Sequence, residues 1–228
     1  VLPIRHPVHT AKAASSVDQL SGGRLVLGVA SGDRASEFPA FGINASQRGE
    51  LLREQFPLLR KLWSEQSPEV SSRWGSLSGA DVLPKPSISS IPLLVTGHSQ
   101  SDLRWIAENA DGWLMYPRDL ALQRQVVREW RDAVGRSAGA KFKPFLQSYY
   151  IDLDERPDAS PRPIHLGHRL GRSALLSHLA ALEELGVNHV ILNLKYGMRP
   201  ALEVVQELGE FVLPRFKHPD HRPPAPGT

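Results

Sequence analysis

The segment Gly97-His98-Ser99-Gln100 stands where an apolar run, Leu93-Leu94-Val95, gives way to a pattern of Leu103, Ile106, Ala107 and Ala110. The continuous run reads as a buried strand, and apolar residues three and four apart read as a helix. A helix N-terminus carries unpaired amides and a partial positive charge, so this junction suits a phosphate without requiring a Lys. Gly97 allows close backbone approach, and Ser99 adds a hydroxyl. The alternative without a ligand is that Ser99 or Ser101 merely caps the helix.

A second junction has the same character. In "RLVLGVASGDRASEFPAFG" a buried strand ends at Ala30-Ser31-Gly32 and is followed by Asp33, Arg34 and Glu37. Ligands of α/β folds gather at the C-terminal ends of strands. There Arg34 could pair with an anion, and Glu37 could carry a proton or orient a ring nitrogen. As isolated charges on a loop, such residues are more often simply solvated.

The elements that must position these residues are legible as a β-then-α repeat. Apolar runs at residues 25–30, 92–96, 112–116, 145–153 and 189–194 predict strands, most of them without polar alternation, as in parallel sheets covered on both faces. Helical patterns occupy about 9–20, 48–63, 102–110, 120–137, 173–185 and 201–213. The alternation permits an open doubly wound sheet or a closed (β/α)8 barrel, and at roughly 30 residues per βα unit a barrel calls for about 70–80 further residues. Ser21-Gly22-Gly23 should end the first helix and Ser46 should cap the second, with a kink or a later start at Pro57. Residues 64–90 and 156–172 read as long connections of the kind used as lids, and "KHPDHRPPAPGT" (217–228) as a disordered tail.

Composition narrows the function classes. With 41% hydrophobic and 22% charged residues, the 228-residue chain has the balance of a globular domain. It has no Cys, so disulfides and thiolate metal sites are excluded and cytoplasmic residence is expected. No apolar run approaches a membrane span, and the net charge of +3 is scattered without aromatic interleaving, which argues against a nucleic-acid partner. His6 and His9 share a helix face, but a third donor is not evident, so no metal site is expected.

Three stretches, "LPIRHPVHTAKAASSVDQLSGGRLVLGVASGDRASEFPAFGI", "PLLVTGHSQSDLRWIAENADGW" and "ALEELGVNHVILNL", together resemble the luciferase-like monooxygenase family of flavin- or deazaflavin-dependent enzymes, which includes bacterial luciferase. The most specific piece is Asp18-Gln19-Leu20-Ser21-Gly22-Gly23-Arg24 leading into Leu27-Gly28-Val29. The resemblance implies a (β/α)8 TIM barrel over residues 1–216, with residues 1–3, 25–30 and 92–96 as the ends of its third, fourth and fifth strands. The first two βα units and most of the third strand would precede Val1. So would the family's usual catalytic His and the non-proline cis peptide behind the flavin ring, which leaves no catalytic residue assignable here.

The same resemblance places the cofactor phosphate between Ser31 and Gly32 on one side and Gly97, His98, Ser99 and Gln100 on the other. Bacterial luciferase has an Arg where Ser31 stands, so Arg34 is the candidate replacement, and Glu37 matches an acidic position near the flavin. The connection 156–172, with Arg162, His165, His168, Arg169 and Arg172, falls where the family has a mobile loop over the active site. The implied activity is oxygenation of a small organic substrate with reduced FMN and dioxygen, the flavin supplied by a separate reductase, in a homodimer. Hydride transfer from F420 on the same fold is the alternative, followed by a flavin binder without turnover or an inactive incomplete barrel. A phosphosugar isomerase or lyase would need a catalytic Lys or Glu at a strand end, and the clear strands show none.

Overall fold

A computed structural model describes residues 1–87, 90–137, 139 and 141–216. The expected tail 217–228 lies outside the described residues. The chain divides into two compact units, one of residues 1–115 with 125–146, the other of 116–124 with 147 onward.

In the first unit α1 (Pro7–Leu20) opens with a Pro where a missing N–H costs nothing, and Nδ1 of His6 accepts from the Val8 amide at 3.3 Å. It ends at Ser21, and Gly22 (φ 66°) and Gly23 (φ 77°) make the left-handed turn that Ser-Gly-Gly predicts. Strand β1 (Leu27–Val29) is shorter than its apolar run. Helix α2 (Arg48–Ser64) begins where expected, without the later start that Pro57 suggested. Pro57 lies on the exposed side, while Leu52, Phe56, Leu59 and Leu62 are buried, and Trp63 Nε1 donates to Ala11 O of α1 at 3.1 Å. Ser46 does not cap α2: its amide donates to Asn44 Oδ1 at 3.0 Å inside the preceding 3-10 turn.

The connection 64–90 is not structureless, since β2 (Val70–Ser72) and β3 (Gly75–Leu77) pair there as an antiparallel hairpin. Then come β4 (Leu93–Thr96), α3 (Leu103–Asn109) and β5 (Gly112–Met115). Parallel pairing runs β1 to β4, with Leu27 opposite Leu93, and β4 to β5, with Leu94 opposite Gly112. Leu93, Val95 and Ile106 are fully buried, which explains the unbroken apolar run in β4. Helix α4 (Leu120–Arg136) starts in the second unit and ends in the first, where Trp130 is buried.

Strand β6 (Phe145–Leu153) begins in the first unit and continues into the second. There the connection 156–172, expected as a mobile loop, forms a hairpin of β7 (Arg162–Ile164) and β8 (Gly167–Leu170). Strand β8 also pairs in parallel with β6, Gly167 opposite Tyr150 and Arg169 opposite Asp152. A Cβ at Gly167 would collide with the Tyr150 carbonyl, so only glycine permits this register. Helix α5 (Arg172–Glu184) buries Leu175, Leu179 and Leu182 at helical spacing, and β9 (His189–Asn193) pairs with β6. Helix α6 (Ala201–Glu207) is shorter than its pattern, because the chain widens into a π-helical turn over Leu208–Val212.

Between β6, β8 and α5, Tyr149 Oη lies 2.6 Å from His168 Nδ1, and its ring stacks on His178 at 4.6 Å. Burial pushes the Tyr149 phenol up to about 12 and lowers the pKa of His178. An unfolded Tyr ionises near pH 10, so the stability contributed by the neutral phenol is intact below that pH and is lost as pH rises through about 10 to 12. His178 has the opposite sense: its contribution is lost as pH falls below about 6.5, where the unfolded imidazole takes up a proton that the folded one resists. Tyr149→Phe should flatten the alkaline fall of the urea midpoint and leave the acid side in place. An alkaline slope unchanged by the substitution would assign that loss to other groups.

Candidate functional site

The site is built at the C-terminal ends of β1 and β4. Gly97 N continues the β4–β5 ladder by donating to Leu114 O at 2.8 Å, and Gly97 O accepts from Trp113 Nε1 at 2.7 Å. The chain then turns through left-handed backbone at Gly97 (φ 60°), Ser99 (φ 47°) and Gln100 (φ 58°). Glycine adopts this region freely, but Ser and Gln do so at a cost, so something must hold them there.

Two contacts hold them. Ser99 Oγ donates to Thr96 O at 2.7 Å and accepts from the Ser31 amide at 3.2 Å, which joins the two strand ends. Gln100 O accepts from Arg53 Nη1 of α2 at 2.7 Å. The close approach of α2 depends on Gly49, where a Cβ would come within 2.5 Å of the Gln100 Cβ. Among the described residues, no acceptor faces the amides of Gly32, His98, Ser99 and Gln100. Gly32 (φ 89°) has no room for a side chain, because a Cβ would lie 2.9 Å from Val1 Cγ1 and 3.0 Å from Phe38 Cζ.

The structure therefore joins Ser31, Gly32 and Ser99, with His98 and Gln100 on the same loop. It changes the expected physics in two ways. Helix α3 begins only at Leu103, and its cap is Asp102, whose carboxylate accepts from Trp105 N at 2.7 Å, so neither Ser99 nor Ser101 caps it. A carboxylate already occupies the positive helix end, so the groups still open to an anion are the loop amides. Arg34 and Glu37 are the second change: they pair with each other at 3.2 Å, Arg34 as the cap of a 3-10 turn (Ala35–Phe41) and Glu37 within it.

Sequence reasoning missed Gly49, Arg53 and Trp113. A glycine in the first turn of a helix, where it favours neither cap nor propensity, was the available signal for Gly49. The imidazole of His98 meets the Trp113 ring edge-on at 5.4 Å. An apolar cavity of about 570 Å³ between α1 and β1, lined by residues such as Ile4, Ala13, Val17 and Leu25, contains none of these strand-end groups. His6 Nε2 is 3.0 Å from Trp74 O, and among the described residues no cluster of three or more His, Asp or Glu is placed to hold a metal. Nor is any helix among them long and apolar enough to cross a membrane. Two cations of the connection 156–172 are also engaged: Arg169 pairs with Asp152 and Asp154, and Arg172, at the start of α5, with Glu207.

The family model described as luciferase-like monooxygenase matches residues 1–196. The chain belongs to this family. An uncharacterized relative from Mycobacterium tuberculosis is 31% identical over 168 residues, 73% of this chain and 58% of the relative. A 5,10-methylenetetrahydromethanopterin reductase from Archaeoglobus fulgidus is 27% identical over 65% of the chain and 45% of that protein. The luciferase-like chain thus spans less than two thirds of the length of these curated relatives. Among solved structures, the monooxygenase RslO1 from Streptomyces bottropensis superposes with a TM-score of 0.77 at 17% identity, over 95% of this chain and 76% of that one. The coenzyme F420-dependent tetrahydromethanopterin reductase from Methanopyrus kandleri gives 0.73 at 15%, over 93% and 80%. The fold is accordingly the α/β fold of luciferase-like proteins.

The Ser99 hydroxyl is the residue-level test of this geometry. Ser99→Ala removes both of its hydrogen bonds and leaves the buried Ser31 amide without an acceptor, a loss of about 1–3 kcal/mol. The urea midpoint should fall accordingly, and the Ser31 amide should exchange faster with solvent. An unchanged midpoint would mean that the strand ends are joined by other contacts.

Proposed function

We propose that this luciferase-like protein is a flavin-dependent monooxygenase on a (β/α)8 barrel framework, using reduced FMN and dioxygen on a small organic substrate. The observation that carries the reading is the pair of strand ends joined through Ser99, with the amides of Gly32, His98, Ser99 and Gln100 left for a phosphate. These residues fit the cofactor's phosphate because backbone amides in left-handed turns form concavities for anions and require no cationic side chain. Bound FMN would supply the electrons for dioxygen chemistry. The protein's part is to fix the phosphate and to orient what is attached to it. Arg34 and Glu37, paired with each other, act on the cofactor only if that exposed pair opens. A separate reductase, a homodimeric state and a cytoplasmic location belong to the same proposal.

A second reading, hydride transfer with F420, is favoured by the likeness to the methylenetetrahydromethanopterin reductase. Both cofactors present a phosphate, so the loop amides serve either. Absorbance titrations of the full chain with FMN, riboflavin and F420 separate these readings. FMN should bind at least tenfold more tightly than riboflavin, which lacks the phosphate, and Ser99→Asp should abolish that difference by setting a carboxylate beside the amides. Tighter binding of F420 than of FMN selects the second reading. Equal affinities for FMN and riboflavin would remove the phosphate site.

A further inference from the structure

In the second unit, a polar cavity of about 460 Å³ opens beyond the end of β6, lined in part by Asp152, Asp154, Glu155, Arg156, Met198 and Arg199. Its charges sort into engaged and free. Arg169 reaches Asp154 at 3.2 Å and Asp152 at 3.6 Å, and Arg199 pairs with Glu207 at 2.7 Å. The buried Asp152 also accepts from Met198 N at 3.0 Å. Arg156 differs. Only its Nε approaches a carboxylate, Asp154 at 3.4 Å, its side chain is 73% exposed, and both terminal nitrogens lack partners among the described residues. The Glu155 carboxylate makes no hydrogen bond or close ion pair among them, although its charge adds to those of Glu207 and Glu203 in raising the pKa of Arg199. The cavity thus presents one fork of free donors and, on the adjacent residue, a carboxylate without a hydrogen-bond partner among the described residues.

An aromatic cluster adjoins these residues along the chain and along β6, outside the cavity's own lining. Tyr196, two residues before Met198, packs on Tyr150 at 5.2 Å, and His165 from the β7–β8 turn meets both rings at 6.0 and 5.9 Å. Tyr150 shares a face of β6 with Asp152, because alternate residues of a strand point the same way. Met198 is 78% exposed, a large apolar side chain left in water at the cavity edge. Neither tyrosine hydroxyl has a partner among the described residues, and Lys195 lies 5.4 Å from the Tyr196 ring centre.

We propose that this cavity binds a zwitterion carrying an aromatic side chain, of the chemical class of the aromatic amino acids. The carboxylate lies on the Arg156 fork, the ammonium on Glu155, and the ring against Met198 and Tyr196. Bidentate guanidinium–carboxylate pairing and thioether–aromatic contact are the interactions on offer. The site rests on the second unit alone and not on the cofactor reading.

Calorimetric titration of the full chain with phenylalanine, phenylacetate, phenethylamine and cyclohexylalanine tests it. Phenylalanine should bind at least tenfold more tightly than each of the other three. Arg156→Gln and Glu155→Gln, both surface substitutions, should each reduce phenylalanine affinity about tenfold while the thermal midpoint stays in place, and Tyr196→Ala should reduce it with less effect on weaker ligands. Binding of phenylacetate as tight as phenylalanine, or of no probe at all, would overturn the proposal. So would an affinity for phenylalanine unmoved by both charge substitutions.

Discussion

In the first unit the arrangement turns on one carboxylate. Asp111 Oδ2 accepts from the Leu93 amide at 2.8 Å and from Arg60 Nη2 at 2.9 Å, while the Asp111 amide donates to Leu93 O at 2.8 Å. The same guanidinium nitrogen reaches Asn109 O at 2.9 Å. One side chain thereby satisfies the first amide of β4, fixes where α3 hands over to β5, and ties both to α2. Gly112 follows directly, and a Cβ there would lie 2.7 Å from Leu94 Cδ2 and 2.9 Å from Pro144 O, so β5 packs with no tolerance. The Ala110-Asp111-Gly112 piece of the family resemblance is therefore a structural device at the N-terminal ends of the strands. Its effect on the site is indirect: it sets the register of β4, and the register decides where Thr96 delivers the chain into the Gly97–Gln100 turn.

The second unit manages charge in a comparable way. Glu207 receives Arg172 at 3.2 Å and Arg199 at 2.7 Å, and the Arg172 guanidinium lies over the Phe211 ring at 4.1 Å. Partly buried cations are stable when each meets a carboxylate, and Arg169 between Asp152 and Asp154 repeats the pattern. The basic-rich connection 156–172 thus has Arg169 and Arg172 neutralised by carboxylates from outside it, Asp152, Asp154 and Glu207. Its two histidines do unlike work: His168 meets Tyr149 and His178, while His165 meets Tyr150 and Tyr196. Alternation along the hairpin separates them, and residue type alone could not.

Legibility followed burial. Strands β4, β5 and β6 were readable because both of their faces are covered, which writes a continuous apolar run, and α1, α2 and α4 because one covered face writes a period. Strands β2, β3, β7 and β8 were not readable. They are only three or four residues long and mix polar with apolar types, as in Val70-Ser71-Ser72 and Arg162-Pro163-Ile164, and pairing exists only because a hairpin partner or β6 lies alongside. At the site the two junctions were visible as changes of pattern, but the Ser31–Ser99 bond spans 68 residues and no local signal encodes it. Asp102 outcompeted Ser99 as the helix cap because a carboxylate accepts more strongly from an amide than a hydroxyl does. Ser99 was thereby left to bridge the strands.

That division of labour explains why the strained turn persists. Left-handed backbone at Ser99 and Gln100 costs about 1–2 kcal/mol for each residue. The two hydrogen bonds of Ser99 return about 1 kcal/mol each, and a charge-assisted bond from Arg53 to Gln100 O returns about 1.5–3 kcal/mol. The turn is sustained by β1, β4 and α2 acting together, and Gly49 is the concession that lets α2 come close enough to contribute. Three elements converge to hold a conformation whose own backbone resists it, and the conformation leaves successive amides without acceptors among the described residues. A turn needed only to connect β4 to α3 could be made with relaxed backbone and a Ser cap, whereas this one keeps its strained form through contacts from β1, β4 and α2.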